Sequence, residues 1–241
     1  MVKLYLTSSP TGSYRSNEEP IYPGLNPANG LVDEIKKDWK ENSRCLIIAA
    51  TPDAHEVNDE MREFFERKLR ATELSVKEML LCDDRNGNEI TKNLKKFDMI
   101  ILGGGHVPTQ NAFFKKIGLR EKFRDFDGIV MGISAGTMNC AEIVYAQPEL
   151  PGESISTEYR RFIQGLGLTK CMVLPHYQAV KDDILDGKRL FEDITYPDSF
   201  GRKFYVLPDG SYILQRDGKV KVCGKAYLIQ DGTISRYMSG N

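Results

Sequence analysis

Short apolar runs recur along the chain, with amphipathic stretches between them. "KLYLTSS" from Lys3, "RCLIIAAT" from Arg44, "KEMLLC" from Lys77, "FDMIILGGG" from Phe97, "DGIVMGIS" from Asp127 and "KCMVLPH" from Lys170 are all of strand length. Near-continuous apolar runs of this kind mark strands covered on both faces. Between them, Leu31, Ile35 and Trp39 share one helical face, and Val57, Met61, Phe64, Phe65 and Leu69 follow the i, i+4, i+7, i+8, i+12 series of an amphipathic helix. The alternation predicts βαβ units on a parallel sheet.

Beyond Phe204 the texture changes. Asp-Gly pairs at Asp209, Asp217 and Asp231 separate β-branched and aromatic runs, which predicts an antiparallel meander on hairpin turns. With no Pro/Ser-rich linker before it, the meander is expected to extend or cap the parallel sheet, and residues 1–241 to form one domain.

Composition narrows the classes. The 33 basic and 34 acidic residues are interspersed, giving a net charge of -1 and no stripe able to track phosphates, so no nucleic-acid partner is expected. No apolar run approaches the roughly 20 residues that cross a bilayer, and the N-terminal apolar stretch is too short for a signal core. No membrane association and a cytoplasmic location are expected. Cys45, Cys82, Cys140, Cys171 and Cys223 lack CxxC spacing and sit in or beside apolar runs, as reduced core thiols do. No metal site is expected, because His55, His106 and His176 are the only histidines and none pairs with a cysteine at ligand spacing.

Candidate chemistry begins at "MGISAGT". Gly132-Ile133-Ser134-Ala135-Gly136 fits G-x-S-x-G, follows an apolar strand and precedes "TMNCAEIVYA", which can form a helix. Such an elbow lifts the serine hydroxyl clear of the sheet and aims the next amide, that of Ala135, at the same reaction centre. The plain alternative is a strand-to-helix turn with Ser134 as N-cap. A serine nucleophile needs a base. His176 follows "MVLP" at a strand's carboxyl end, where open α/β sheets gather their active sites. His55 reads instead as a surface or capping residue. "ILGGGH" lacks the spacing of a dinucleotide or phosphate loop; it reads either as a flexible strand end or as a place where one of the glycine amides of Gly103 to Gly105 supplies a second oxyanion donor, close to substrate because glycine has no side chain. For the orienting acid, Glu149 in "YAQPELPGES" competes with Glu142, Glu153, Glu158, Asp182 and Asp183.

The series "ILGGGH", "IVMGISAGTMN" and "LPHY" resembles the peptidase E (aspartyl dipeptidase) family of serine peptidases, related to cyanophycinase and to class I glutamine amidotransferase-like folds. The resemblance runs from the first strand to about His176 and is weakest in the terminal hairpins. It implies a three-layer α/β/α sandwich with a mostly parallel sheet and C-terminal antiparallel hairpins. It also implies a cofactor-free hydrolase acting on short peptides through an acyl-enzyme. The nucleophile falls on Ser134, the base on His176, the oxyanion amides on Gly105 and Ala135, and the acid on Glu149, where peptidase E has aspartate. His106 stands where the family has a substrate-side asparagine, and Arg189 lies near the position of the arginine that holds the substrate's aspartate.

The long polar segment from Ser8 to Asn29 is a candidate lid or a plain loop. Tyr14, Arg15, Tyr159, Arg160 and Arg161 are either contacts for a peptide carboxylate or ordinary surface residues. An esterase or isopeptidase using the same triad, and a catalytically silent ligand-binding module, remain the competing readings. Glutamine amidotransfer is disfavoured because that chemistry uses cysteine where Ser134 stands.

Overall fold

The computed structural model describes residues 2–12 and 22–238, so Tyr14, Arg15 and much of the candidate lid lie outside the described residues. Fifteen strands are formed among the described residues. They are β1 (Lys3–Thr7), β2 (Ser43–Ile48), β3 (Val76–Cys82), β4 (Met99–Leu102), β5 (Ile129–Ile133), β6 (Ile143–Tyr145), β7 (Phe162–Gln164), β8 (Met172–Leu174), β9 (Ile184–Leu185), β10 (Lys188–Arg189), β11 (Lys203–Val206), β12 (Tyr212–Arg216), β13 (Lys219–Cys223), β14 (Tyr227–Gln230) and β15 (Thr233–Arg236).

The central sheet has the order β13-β12-β1-β5-β4-β2-β3. Its members β1, β5, β4, β2 and β3 run parallel, while β12 and β13 add an antiparallel edge. Alternating side chains load its two faces, as a period of two requires. Leu4, Leu6, Leu46, Ile48, Ile100 and Leu102 meet Phe113 and Phe114 of the helix Val107–Lys116 on one face. Tyr5, Cys45, Ile47, Met99 and Ile101 meet Ile35, Phe65 and Leu69 of the helices Leu31–Asp38 and His55–Ala71 on the other. Helices thus cover both faces of a mostly parallel sheet. Val57, expected on the buried stripe, is instead 64% exposed, while its neighbour Asn58 takes the inward position in that turn.

The sixth expected parallel strand is not in this sheet. β8 pairs parallel with β11, and β11, β14 and β15 continue as a separate sheet in the order β15-β14-β11-β8. The C-terminal meander is therefore divided between two sheets. Its Asp217-Gly218 and Asp231-Gly232 pairs form hairpin turns, with positive φ at both residues of each, as two-residue turns between twisted strands require. The Asp209-Gly210 pair lies on the crossing from β11 to β12 and forms no hairpin. That crossing brings the end of β8 back to the carboxyl edge of the central sheet.

Among the described residues, no helix is long and apolar enough to cross a membrane. All five cysteines are buried, and burial pushes the Cys45 and Cys82 thiols up to about 12.

Candidate active site

Close packing explains the glycines around Ser134. A Cβ on Gly132 would lie 2.6 Å from the Cα of Thr137, and one on Gly136 would lie 2.2 Å from the carbonyl oxygen of Leu102, so both positions admit only glycine. Between them Ser134 takes φ 51 and ψ -112, a backbone that costs a non-glycine residue on the order of 1–3 kcal/mol. Thr7 ties the turn to β1: its Oγ1 donates to Gly132 O at 2.7 Å, and its carbonyl accepts from Ser134 N at 3.2 Å and Thr137 Oγ1 at 2.7 Å. The helix that follows is only Ala135–Asn139, after which the chain turns into β6, so the longer helix expected over "TMNCAEIVYA" is not formed. Ser134 occupies the N-cap position, yet its hydroxyl caps no amide. The strand-to-helix turn is thus formed without a side-chain cap, and Ser134 lines a cavity of about 310 Å³.

The glycine run borders the same cavity. Gly105, with φ 154, is seated so that a Cβ would meet Ala50 Cβ at 2.7 Å. Buried amides hold this run in register with the elbow. Gln110 Nε2 donates to Gly103 O at 2.8 Å, Asn139 Nδ2 donates to Gln110 Oε1 at 3.0 Å, and Asn111 Nδ2 donates to Asn139 Oδ1 at 2.9 Å. A network with its donors and acceptors matched is rigid. The amides of Gly105 and Ala135 donate to no other group among the described residues.

His176 follows β8 with φ 58, in the left-handed region, and only 8% of it is exposed. Its Nδ1 lies 2.7 Å from Asp209 Oδ1. Asp209 is fixed in turn: Ser8 Oγ donates to Oδ1 at 2.6 Å, Gln178 Nε2 donates to Oδ2 at 2.5 Å, and its own amide donates to Gln178 Oε1 at 2.9 Å. His176 N donates to Ser8 Oγ at 2.8 Å, which joins the imidazole's backbone to the end of β1. With Nδ1 directed at a carboxylate, Nε2 is the basic nitrogen. His176 and Ser134 line one cavity without a direct hydrogen bond between them, the looser spacing common in unliganded sites.

Ser134, His176, Gly105 and Glu149 line one cavity, and Ala135 follows Ser134 directly. Glu149 lines the cavity, and its amide donates to Glu153 Oε2 at 2.8 Å. The carboxylate at His176 Nδ1 is Asp209, which reaches it because the crossing from β11 to β12 passes directly beside β8. Asp209 carried a signal in the sequence, the turn-forming Asp-Gly pair, but that signal described its backbone and not its side chain.

His106, expected beside the substrate, is not among the residues that line the cavity. Its Nδ1 lies 2.8 Å from Thr109 Oγ1 and its Nε2 lies 2.9 Å from Glu153 Oε1. Glu153 thereby links the glycine run to the loop at Glu149 and Leu150. Arg189 is exposed and paired with Asp193 at 2.7 Å, and Arg161 is paired with Asp198 at 2.9 Å, so neither enters the cavity. Tyr159 and Arg160 are also absent from its lining. His55 sits at the surface beside Asp84, as expected. Among the described residues, no group of three or more His, Cys, Asp or Glu side chains is placed to hold a metal ion.

The family model for peptidase family S51 matches residues 26–223 of the chain. None of the curated proteins matches it. Among solved structures, a peptidase from an acI-B1 Actinobacterium superimposes with a TM-score of 0.61 at 17% identity, over 99% of this chain and 95% of that one. A protein from Listeria monocytogenes EGD-e, provisionally assigned as peptidase E, gives 0.59 at 20% identity, over 92% and 98%. At such identities the two structures establish the shared fold.

Proposed function

The chain belongs to peptidase family S51 and is a serine-type peptidase, and we propose that it hydrolyses short peptides with Ser134 as nucleophile, His176 as base and Asp209 as the orienting acid. One observation carries this reading: an imidazole anchored at Nδ1 by a carboxylate faces the same cavity as a serine held on a strained elbow.

In this mechanism Ser134 Oγ attacks the scissile carbonyl while His176 Nε2 takes its proton. The imidazolium that forms is stabilised by Asp209 and returns the proton to the leaving amine. The amides of Gly105 and Ala135 donate to the oxyanion, a contribution of about 3 kcal/mol per donor in comparable enzymes. Water, activated by the same nitrogen, then releases the acyl group. Restriction to short peptides is supported by the cavity's size, about 310 Å³, at the lower end of the roughly 300–1,000 Å³ of small-molecule pockets.

The test is turnover of a dipeptide panel and of short p-nitrophenyl esters by the wild type and Ser134→Ala, with a fluorophosphonate probe in parallel. The reading expects dipeptide hydrolysis and probe labelling, both lost in Ser134→Ala. Ester cleavage without peptide cleavage would transfer the triad to an esterase. Absence of labelling and of both activities would leave the silent binding module.

A further inference from the structure

We propose that Glu153 is a positioning residue for the reaction: by holding His106, it fixes the direction of the Gly105 amide where the oxyanion develops. That role rests on the proposed peptidase mechanism and deepens it, because Gly105 is one of the two donors the mechanism needs at that oxygen.

The requirement starts in the sequence. Gly103, Gly104 and Gly105 have no side chains with which to anchor themselves, and successive glycines leave the backbone unusually free. An oxyanion donor lowers the barrier only when its direction is set before the reaction. The glycine run must therefore be held from its flanks. Upstream, Gly103 N donates to Ile48 O at 2.9 Å, and Gly103 O accepts from Gln110 Nε2 at 2.8 Å. Downstream, the first side chain is that of His106, whose Nε2 lies 2.9 Å from Glu153 Oε1.

This imidazole is satisfied as a neutral ring. A carboxylate only accepts, so Nε2 carries the proton, and Nδ1 accepts from Thr109 Oγ1 at 2.8 Å. Glu153 is itself immobilised. Its Oε2 accepts from the amides of Glu149 and Leu150 at 2.8 and 2.9 Å, and its side chain is only 14% exposed. The amides on either side of it, those of Gly152 and Ser154, donate to Asp186 at 2.8 and 3.1 Å, which ties the loop to the β9–β10 hairpin. A reacting group is held to the necessary few tenths of an ångström by just such a supporting contact. Neither His106 nor Glu153 lines the cavity, so the pair is placed to act through Gly105 and not on the substrate.

A double-mutant cycle on kcat tests this, with thermal melts to establish folding. His106→Ala and Glu153→Ala are each expected to lower kcat on the best dipeptide or ester by about 10–100-fold, less than the roughly 10²–10³-fold lost with an oxyanion donor outright. KM should hardly change in His106→Ala, as for an interaction made only in the transition state. The double variant should lose little more than either single one, because both break the same link. His106→Gln, whose amide nitrogen can replace Nε2, should recover most of the lost kcat. His106→Ala with this rescue carries the test even where Glu153→Ala fails to fold. A second measurement needs no turnover: ¹⁵N relaxation should show the order parameters of the Gly104 and Gly105 amides falling from about 0.85 toward 0.6 in both alanine variants. Additive losses of kcat, or order parameters that neither substitution alters, overturn the proposal and leave the peptidase reading intact. A raised KM at unchanged kcat in His106→Ala also overturns it, by making His106 a substrate contact. Amides that loosen in both variants, in a protein whose wild type cleaves neither peptide nor ester, would retain the clamp and sink the mechanism it serves.

Discussion

Asp209 Oδ1 lies 2.7 Å from His176 Nδ1, across 33 positions of sequence and between the segments that leave two paired strands of one sheet. The contact exists because β8 and β11 pair in parallel, and the segment leaving β11 passes the residue that follows β8. Gln178, two residues after His176, exchanges two hydrogen bonds with Asp209 and fixes the carboxylate's rotation.

This arrangement predicts different outcomes for the two candidate acids. Asp209→Asn preserves shape but offers an amide where the imidazole needs a carboxylate, and kcat should fall by about 10³–10⁴-fold, the loss known for such a change in serine peptidases. Glu149→Gln should cost less than tenfold, since its carboxylate does not contact His176 Nδ1. Steady-state kinetics on the best dipeptide, with thermal melts to establish folding, decides between them. Equal losses in the two variants, or a larger one in Glu149→Gln, would return the orienting role to Glu149.

The sequence made the scaffold and the reacting pair legible for a physical reason. The strand runs at Lys3, Arg44, Lys77, Phe97 and Asp127 are apolar on both faces because the parallel sheet is covered on both. The elbow glycines at Gly132 and Gly136 are dictated by contacts within a few residues or with the adjacent strand. By contrast, the acid was hidden because its role depends on which sheet β8 joins, and the apolar pattern of "KCMVLPH" is the same in either. Similarly, the pairing of His106 with Glu153 and of Arg189 with Asp193 depends on loop paths that periodicity does not encode.

The elbow glycines make a separable prediction. In Gly136→Ala the new methyl would overlap Leu102 O at 2.2 Å, which is backbone and cannot rotate away. Forced overpacking of this kind costs about 1–3 kcal/mol, or roughly 2–12 °C in Tm for a chain of this size, with loss of activity as Ser134 shifts. In Gly104→Ala the methyl meets Ser134 Cβ at 3.5 Å, an ordinary contact. That variant should melt within about 2 °C of the wild type, a surface-like change of at most ~0.5 kcal/mol, while activity falls because the substrate's approach to Ser134 is obstructed. Differential scanning fluorimetry with kinetics checks both, and an unchanged Tm in Gly136→Ala would mean that the elbow relaxes at little cost.

Stability toward acid should depend on Arg216. Its guanidinium donates to Asp38 Oδ2 at 2.6 Å and to Glu34 Oε2 at 3.0 Å, and Tyr5, fully buried, donates its hydroxyl to Asp38 at 2.6 Å. These contacts join the antiparallel edge of the central sheet to the helix Leu31–Asp38. Lys37 first, and Arg216 next, hold the Glu34 carboxyl below the usual carboxylate range. A carboxyl whose pKa is lower in the folded chain stabilises it above its ordinary pKa, and that contribution disappears as pH falls through the folded value. Arg216→Ala should therefore cost about 2 kcal/mol at pH 7, less than a fully buried pair because the guanidinium is partly exposed. The gap between wild type and variant should narrow as pH falls from 5 to 3, where the Glu34 carboxylate takes up its proton. Urea unfolding at pH 7, 5 and 3 measures it. A gap of constant size across that range would show that Arg216 acts through the packing of its alkyl stem, and that its charge contributes nothing measurable.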